Sequence, residues 1–180
     1  MMISEGRGIK ADSIAMVRTI PGYPKFKMTF ITQFAMLSSM LYIIPTPIGN
    51  LKDITFRAID TLKEVDGIIC EDTRRTSLLL NHYRIRKPLI ALNDYNEART
   101  FPQIIEKLRA GENLALVSDA GTPLISDPGY KLIRECLQRG IEVDSLPGPS
   151  SILPALTLSG LPPDKFMFLG YPPEKGGQRL

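Results

Sequence analysis

A chain of 180 residues, 43% hydrophobic and 23% charged, has room for one ordinary globular domain and the beginning of another. Two cysteines and a single histidine argue against both a secreted disulfide framework and a zinc centre, which leaves a reducing, cytoplasmic setting as the default. The net charge of +3 sits entirely in residues 1–40, which hold five basic and two acidic residues; the remaining 140 balance 17 against 17, so overall charge does not mark the body as a nucleic-acid binder.

Residues 1–39 show no sustained helical or strand period and read as a disordered extension. The apolar stretch 28–44 bears comparison with a signal-peptide core or a poor membrane span. Thr29, Thr32, Gln33, Ser38 and Ser39 dilute it, and it runs into a strand instead of a cleavage site.

From residue 40 the pattern becomes regular. Residues 41–44 are nearly all apolar, as in a strand covered on both faces. They lead into Pro45-Thr46-Pro47-Ile48-Gly49-Asn50-Leu51, and Asp53 is placed to cap a helix over 54–65. Residues 67–70 predict a second strand, followed by Glu71-Asp72-Thr73-Arg74-Arg75, a short helix through 78–80 and a basic turn over 82–87. Residues 89–92 predict a third strand. Pro102 reads as the start of a helix that Gly111 closes.

Residues 114–117 predict a fourth strand and run into the most constrained stretch of the chain, Ser118-Asp119-Ala120-Gly121-Thr122-Pro123-Leu124-Ile125-Ser126-Asp127-Pro128-Gly129. Here Asp127 and Pro128 read as the cap and first position of a helix that ends at Gly140. This loop is either a ligand cradle or a rigid strand-to-helix turn. Residues 141–146 predict a fifth strand, then Pro147-Gly148-Pro149-Ser150-Ser151, with Ser150 or Ser151 capping a last helix whose first turn holds Pro154.

Five strands alternating with helices predict a three-layer α/β domain over residues 40–160, with a five-stranded parallel sheet flanked by helices. Neither GxGxxG nor GxxxxGK[ST] occurs. Glycine-rich and polar segments follow the first, second, fourth and fifth strands, and so converge on one sheet edge, where open α/β sheets bind ligands. Residues 161–180 read as a linker, a strand at 166–169 and a turn at 171–177, the opening of a truncated second domain.

Four segments, residues 45–51, 71–74, 118–129 and 147–151, resemble in order and spacing the tetrapyrrole-methylase superfamily, and within it the branch that methylates small-subunit ribosomal RNA. The resemblance runs from residue 41 to about 177. It implies S-adenosylmethionine as cofactor, transfer of a methyl group to the ribose 2′-oxygen of a cytidine in the decoding region of 16S rRNA, and a homodimer built from two-domain chains. It further implies that Pro47, Gly49, Asp119, Ala120, Gly121, Thr122, Ser150 and Ser151 hold the cofactor, Asp119 alternatively only bracing its own loop. Glu71 or Asp72 either contacts the substrate hydroxyl or forms an ion pair capping the next helix.

Arg74, Arg75, Arg84, Arg86 and Lys87 are the one basic concentration in the body. They contact RNA phosphates or form a solvated helix end. His82 reads as a boundary residue. Two alternatives stay open: methylation of a porphyrin or corrin, against which the Pro-Thr-Pro-Ile-Gly-Asn loop counts, and a fragment that binds cofactor weakly or not at all.

Overall fold

A computed structural model of the chain describes residues 39–170, apart from 94, 126 and 128. The expected extension lies outside the described residues up to position 38, as do the turn at 171–177 and Pro128.

Five strands, β1 (Met40–Ile44), β2 (Gly67–Cys70), β3 (Leu89–Ala91), β4 (Leu114–Val117) and β5 (Glu142–Ser145), form one sheet in the order β3-β2-β4-β1-β5. Every pairing is parallel. β2 and β4 are buried along their whole length because both faces are covered, which is why they read as unbroken apolar runs. β5 is an edge strand with exposed ends and a half-buried middle, and Asp144 on it pairs with Arg57 at 3.0 Å.

Side-chain alternation splits the core in two. Ile44, Ile68, Ala115 and Val117 pack under α1 (Phe56–Glu64) and α2 (Thr73–His82), through Ala58, Leu62 and Leu80. Leu41, Ile69, Leu114 and Leu116 pack on the other face under α3 (Glu97–Arg109) and α4 (Tyr130–Gln138), through Ile104, Leu108, Leu132 and Cys136. A final helix, α5 (Ile152–Leu158), buries no residue. The predicted three-layer fold is therefore present.

Several element boundaries differ from expectation. Asp53 ends a short 3-10 turn, Leu51–Asp53, and the cap of α1 is Thr55, whose hydroxyl accepts from the Ala58 N–H at 3.1 Å. The helix after β2 spans 73–82, longer than expected. Its cap is Asp72, which accepts from the Arg74 N–H at 2.8 Å. Pro102 lies inside α3, not at its start, because Asn93 and Asn96 fold the preceding turn and start the helix a full turn earlier.

Asp127 does not cap α4. Gly129 does, at φ 114°, and an added Cβ there would stand 3.0 Å from Leu116 Cδ2 and 3.1 Å from Leu124 Cδ2, so a glycine is needed. Ser151 stands at the cap position of α5 without a side-chain hydrogen bond, and Pro154 fits in the first turn. Residues 166–169 join no strand among the described residues, and each is half or more exposed.

Candidate functional site

All strands being parallel, the loops after β1, β2, β4 and β5 share the carboxyl edge. β1 leads to a helix on one face and its neighbour β4 to a helix on the other, so their loops part at a topological switch point, where open α/β sheets form a crevice. The crevice floor is tied shut by two backbone hydrogen bonds, Thr46 N–H to Gly121 O and Gly121 N–H to Thr46 O, both 2.9 Å. Below it the Thr46 hydroxyl donates to the Ser118 carbonyl at 2.9 Å, and the Ser118 hydroxyl to the Gly121 carbonyl at 3.0 Å.

The β5 loop is drawn onto the same floor. Thr122 donates to the Pro149 carbonyl at 3.3 Å, and Gly148 lies so close to Pro45 that a Cβ would stand 2.7 Å from the proline Cβ.

This tie divides the predicted site residues into two groups. On the β5 side an open cavity of about 760 Å³ is lined by Ile48, Asp53, Thr55, the 147–151 loop, Leu153 and Pro154. It adjoins a recess of about 180 Å³ formed by Ala120, Gly121, Thr122 and Ile125 together with Phe168. Ile48, Ser150 and Ser151 line both. On the β2 side a separate recess of about 180 Å³ is lined by Thr46, Pro47, Leu51, Arg75, Thr76, Leu78, Leu79, Ser118 and Asp119. Pro47 and Asp119 line this recess, and the other expected cofactor residues except Gly49 line the cavity and recess on the β5 side. Gly49 is exposed at φ 82°, with nothing within 4 Å of a built Cβ.

The acids after β2 diverge. Asp72 caps α2 and forms a two-pronged ion pair with Arg74, at 2.7 and 3.1 Å. Those hydrogen bonds from Arg74 bring its carboxyl down to about 2. Glu71 turns the other way, onto a small cleft shared with Ser118, Pro123 and Asp127. Burial pushes the Asp127 carboxyl up, against a hydrogen bond from Ser118. Asp119 sits between the two sides. Its Oδ2 lies 3.5 Å from Arg75 Nη1, while its Oδ1 is buried with no partner among the described residues.

The five basic residues do not form one patch. Arg74 and Arg75 open α2 at the carboxyl edge, whereas Arg84, Arg86 and Lys87 follow its end, where the chain enters β3 at the opposite edge. Ten helical residues at ~1.5 Å each put the two groups about 15 Å apart. His82 closes the helix with its ring edge-on to Tyr83.

Asp53 and Pro154 escaped the sequence reading as site residues because each was assigned to a helix start, and Thr55 and Leu153 belonged to no motif. The signal that could have found them is their place one turn after the proline-rich loops. Among the described residues no helix is long and apolar enough to cross a membrane, and no cluster of metal-ligating side chains occurs.

Residues 40–170 match the family described as Tetrapyrrole (Corrin/Porphyrin) Methylases. The chain is 53% identical over 139 residues to a Ribosomal RNA small subunit methyltransferase I of Thermotoga maritima, covering 77% of this chain and 63% of that one. It is 54% identical over 139 residues to the protein of that name from Escherichia coli O157:H7, covering 77% and 49%. The chain thus spans about half to two thirds of the length of the curated relatives it matches. Among solved structures it resembles uroporphyrin-III-C-methyltransferase from Thermus thermophilus, with a TM-score of 0.54 at 21% identity over 69% of this chain and 54% of that one. It also resembles diphthine synthase, with a TM-score of 0.57 at 18% identity over 72% and 52%. At those identities the structural likeness speaks for the fold.

Proposed function

The chain belongs to the tetrapyrrole (corrin/porphyrin) methylase family, and on that premise we propose that it carries the S-adenosylmethionine site of an RNA methyltransferase acting on a cytidine ribose 2′-oxygen of 16S rRNA. The observation that carries this reading is identity above one half with relatives named for small-subunit ribosomal RNA methylation, against about one fifth with the tetrapyrrole enzyme of known structure.

The β5-side cavity suits the cofactor. Its volume of about 760 Å³ falls in the ~300–1,000 Å³ range of sites for ligands of that size. Ile48, Pro147, Leu153 and Pro154 offer an apolar shelf for an adenine ring. Ser150, Ser151 and the backbone at 120–122 offer hydroxyl and amide groups for the ribose and amino-acid ends. The bound cofactor supplies a methyl group on a positively charged sulfur.

The work left to the chain is orientation and water exclusion, since alignment alone contributes much of the rate in such a transfer. The ties from Thr46 to Gly121 and from Thr122 to Pro149 hold three loops in register for that purpose. A ribose hydroxyl also needs help to lose its proton. Asp72, held near 2 and committed to Arg74, is too weak a base at neutral pH, so of the two acids Glu71 is the candidate. Arg74 and Arg75, which open α2 at the carboxyl edge, are the phosphate contacts on the crevice side. A homodimer and a cytoplasmic setting accompany the same reading.

The test is transfer of a labelled methyl group by the purified chain to small ribosomal subunits that lack the modification, with the product mapped by mass spectrometry. A 2′-O-methylcytidine is expected. Tight cofactor binding without transfer to RNA, but with transfer to a porphyrinoid, would overturn the substrate assignment.

A further inference from the structure

We propose that Asp53 is a specificity-determining residue of the β5-side cavity, holding S-adenosylmethionine by its positive charge and releasing the neutral product, S-adenosylhomocysteine. This rests on the reading of that cavity as the cofactor site, and adds how the site tells the loaded cofactor from the spent one.

Charge is the first observation behind it. Asp53 is the one ionisable side chain among the described residues lining the cavity of about 760 Å³; the other walls are apolar or carry neutral hydroxyls. The adjoining recess adds a second acid, Asp127, whose charge is disfavoured by burial, and again no base. Cations of the crevice stand elsewhere: Arg75 lines the β2-side recess and Arg74 precedes it on α2.

Availability is the second. Asp53 is exposed, and its carboxylate forms no hydrogen bond or ion pair with the described residues. Arg57, one turn further on, is held by Asp144 at 3.0 Å, and Lys52 does not line the cavity, so neither neutralises it. The residue is also fixed in place. Its N–H donates to the Asn50 carbonyl at 3.1 Å, and Ile54 beside it is buried in the core, which anchors the turn at the cavity wall.

The ligand changes charge in the reaction. As the methyl carbon bonds to the ribose oxygen, its bond to sulfur breaks, the electron pair stays on sulfur, and the hydroxyl proton leaves to a base. Sulfur thereby passes from cationic to neutral, while the ammonium and carboxylate of the amino-acid end stay as they were. A carboxylate in a partly solvated cavity attracts the cation and has no such hold on the neutral product.

The experiment is calorimetric titration of three ligands into the full chain at low and high salt. They are S-adenosylmethionine, S-adenosylhomocysteine and sinefungin, which carries a protonated amine on carbon in place of the methyl-bearing sulfur. The two cationic ligands should bind about fivefold tighter than S-adenosylhomocysteine, with the excess shrinking as salt rises. Asp53→Asn should erase the excess and leave S-adenosylhomocysteine affinity unchanged, whereas Asp53→Glu should keep it. Thermal unfolding of both variants should match wild type, because the side chain is exposed and makes no internal bond. A preference that survives Asp53→Asn, or an equal loss from all three ligands, would overturn the inference alone. So would a wild-type preference that salt does not diminish, whatever the variants do. A wild-type chain that binds none of the three overturns the cofactor reading and this inference together.

Discussion

Replacing Gly148 by alanine puts a methyl group where Pro45 already stands. The new Cβ would lie 2.7 Å from Pro45 Cβ and 3.0 Å from its Cγ, against an optimum of about 3.5–4.0 Å between carbons. Pro45 cannot give way, because its ring is rigid and fully buried at the end of β1. The β5 loop must therefore back off by about 1 Å, or the contact stays compressed at a cost of roughly 1–3 kcal/mol. Either way Ser150 and Ser151 leave their register with Ile48, and a misplacement of about 1 Å is enough to cost on the order of 100-fold in a reaction that depends on alignment. Calorimetric titration of S-adenosylmethionine into wild-type and variant chains, with urea unfolding alongside, reads both effects. Unchanged affinity together with unchanged stability would refute the close approach of the β1 and β5 loops and the role given to it.

Asp72→Ala should lower stability through loss of the α2 cap, and Asp72→Ser should recover most of it; methyl transfer that tracks stability in both marks Asp72 as structural. Because the Asp72 carboxyl is lowered to about 2 when folded, its contribution is present above the ordinary value of 3.8 and lost as pH falls through about 2, which acid unfolding of wild type against Asp72→Asn would show. Burial pushes the Cys136 thiol up to about 11 from 9.0, so the unfolded chain loses that proton first. Stability should fall as pH rises from about 9 toward 11, less so in Cys136→Ala, by thermal unfolding across that range. Ile68→Ala, at a fully buried position in β2, should cost about 2–5 kcal/mol in urea titrations. Neutralising Arg84, Arg86 and Lys87 together should flatten the salt dependence of RNA binding without altering cofactor affinity, since they sit at the sheet edge remote from the crevice.

The sheet was legible because its strands obey a local rule. A strand covered on both faces must be apolar throughout, and 67–70 and 114–117 are. Helix starts were less legible, because several residues at each start could cap. Asp53 and Thr55 were both suited to the first helix, and Asp127 and Gly129 to the fourth. The backbone's approach to the sheet chose Thr55 and Gly129, the latter because Leu116 and Leu124 leave no room for a side chain. Pro102 misled for the same reason: a proline suits a first turn, but the turn folded by Asn93 and Asn96 had already begun the helix.

By itself the sequence determined the layered α/β class, the strands, the four loops that meet at one edge, and the family whose residues those loops carry. The class, the strands and the loops follow from local composition and spacing, and the family from the resemblance that the residues of those four loops carry. Strand order was decided by tertiary structure alone, and with it the division of the site. Inserting β4 between β2 and β1 sets Thr46 against Gly121, separates Asp119 and Pro47 from Ser150 and Ser151, and brings Arg75 to Asp119. The same order places Arg74 at the crevice and Arg84 at the far edge, although they are ten residues apart in sequence, because a helix carries the chain across the sheet between them.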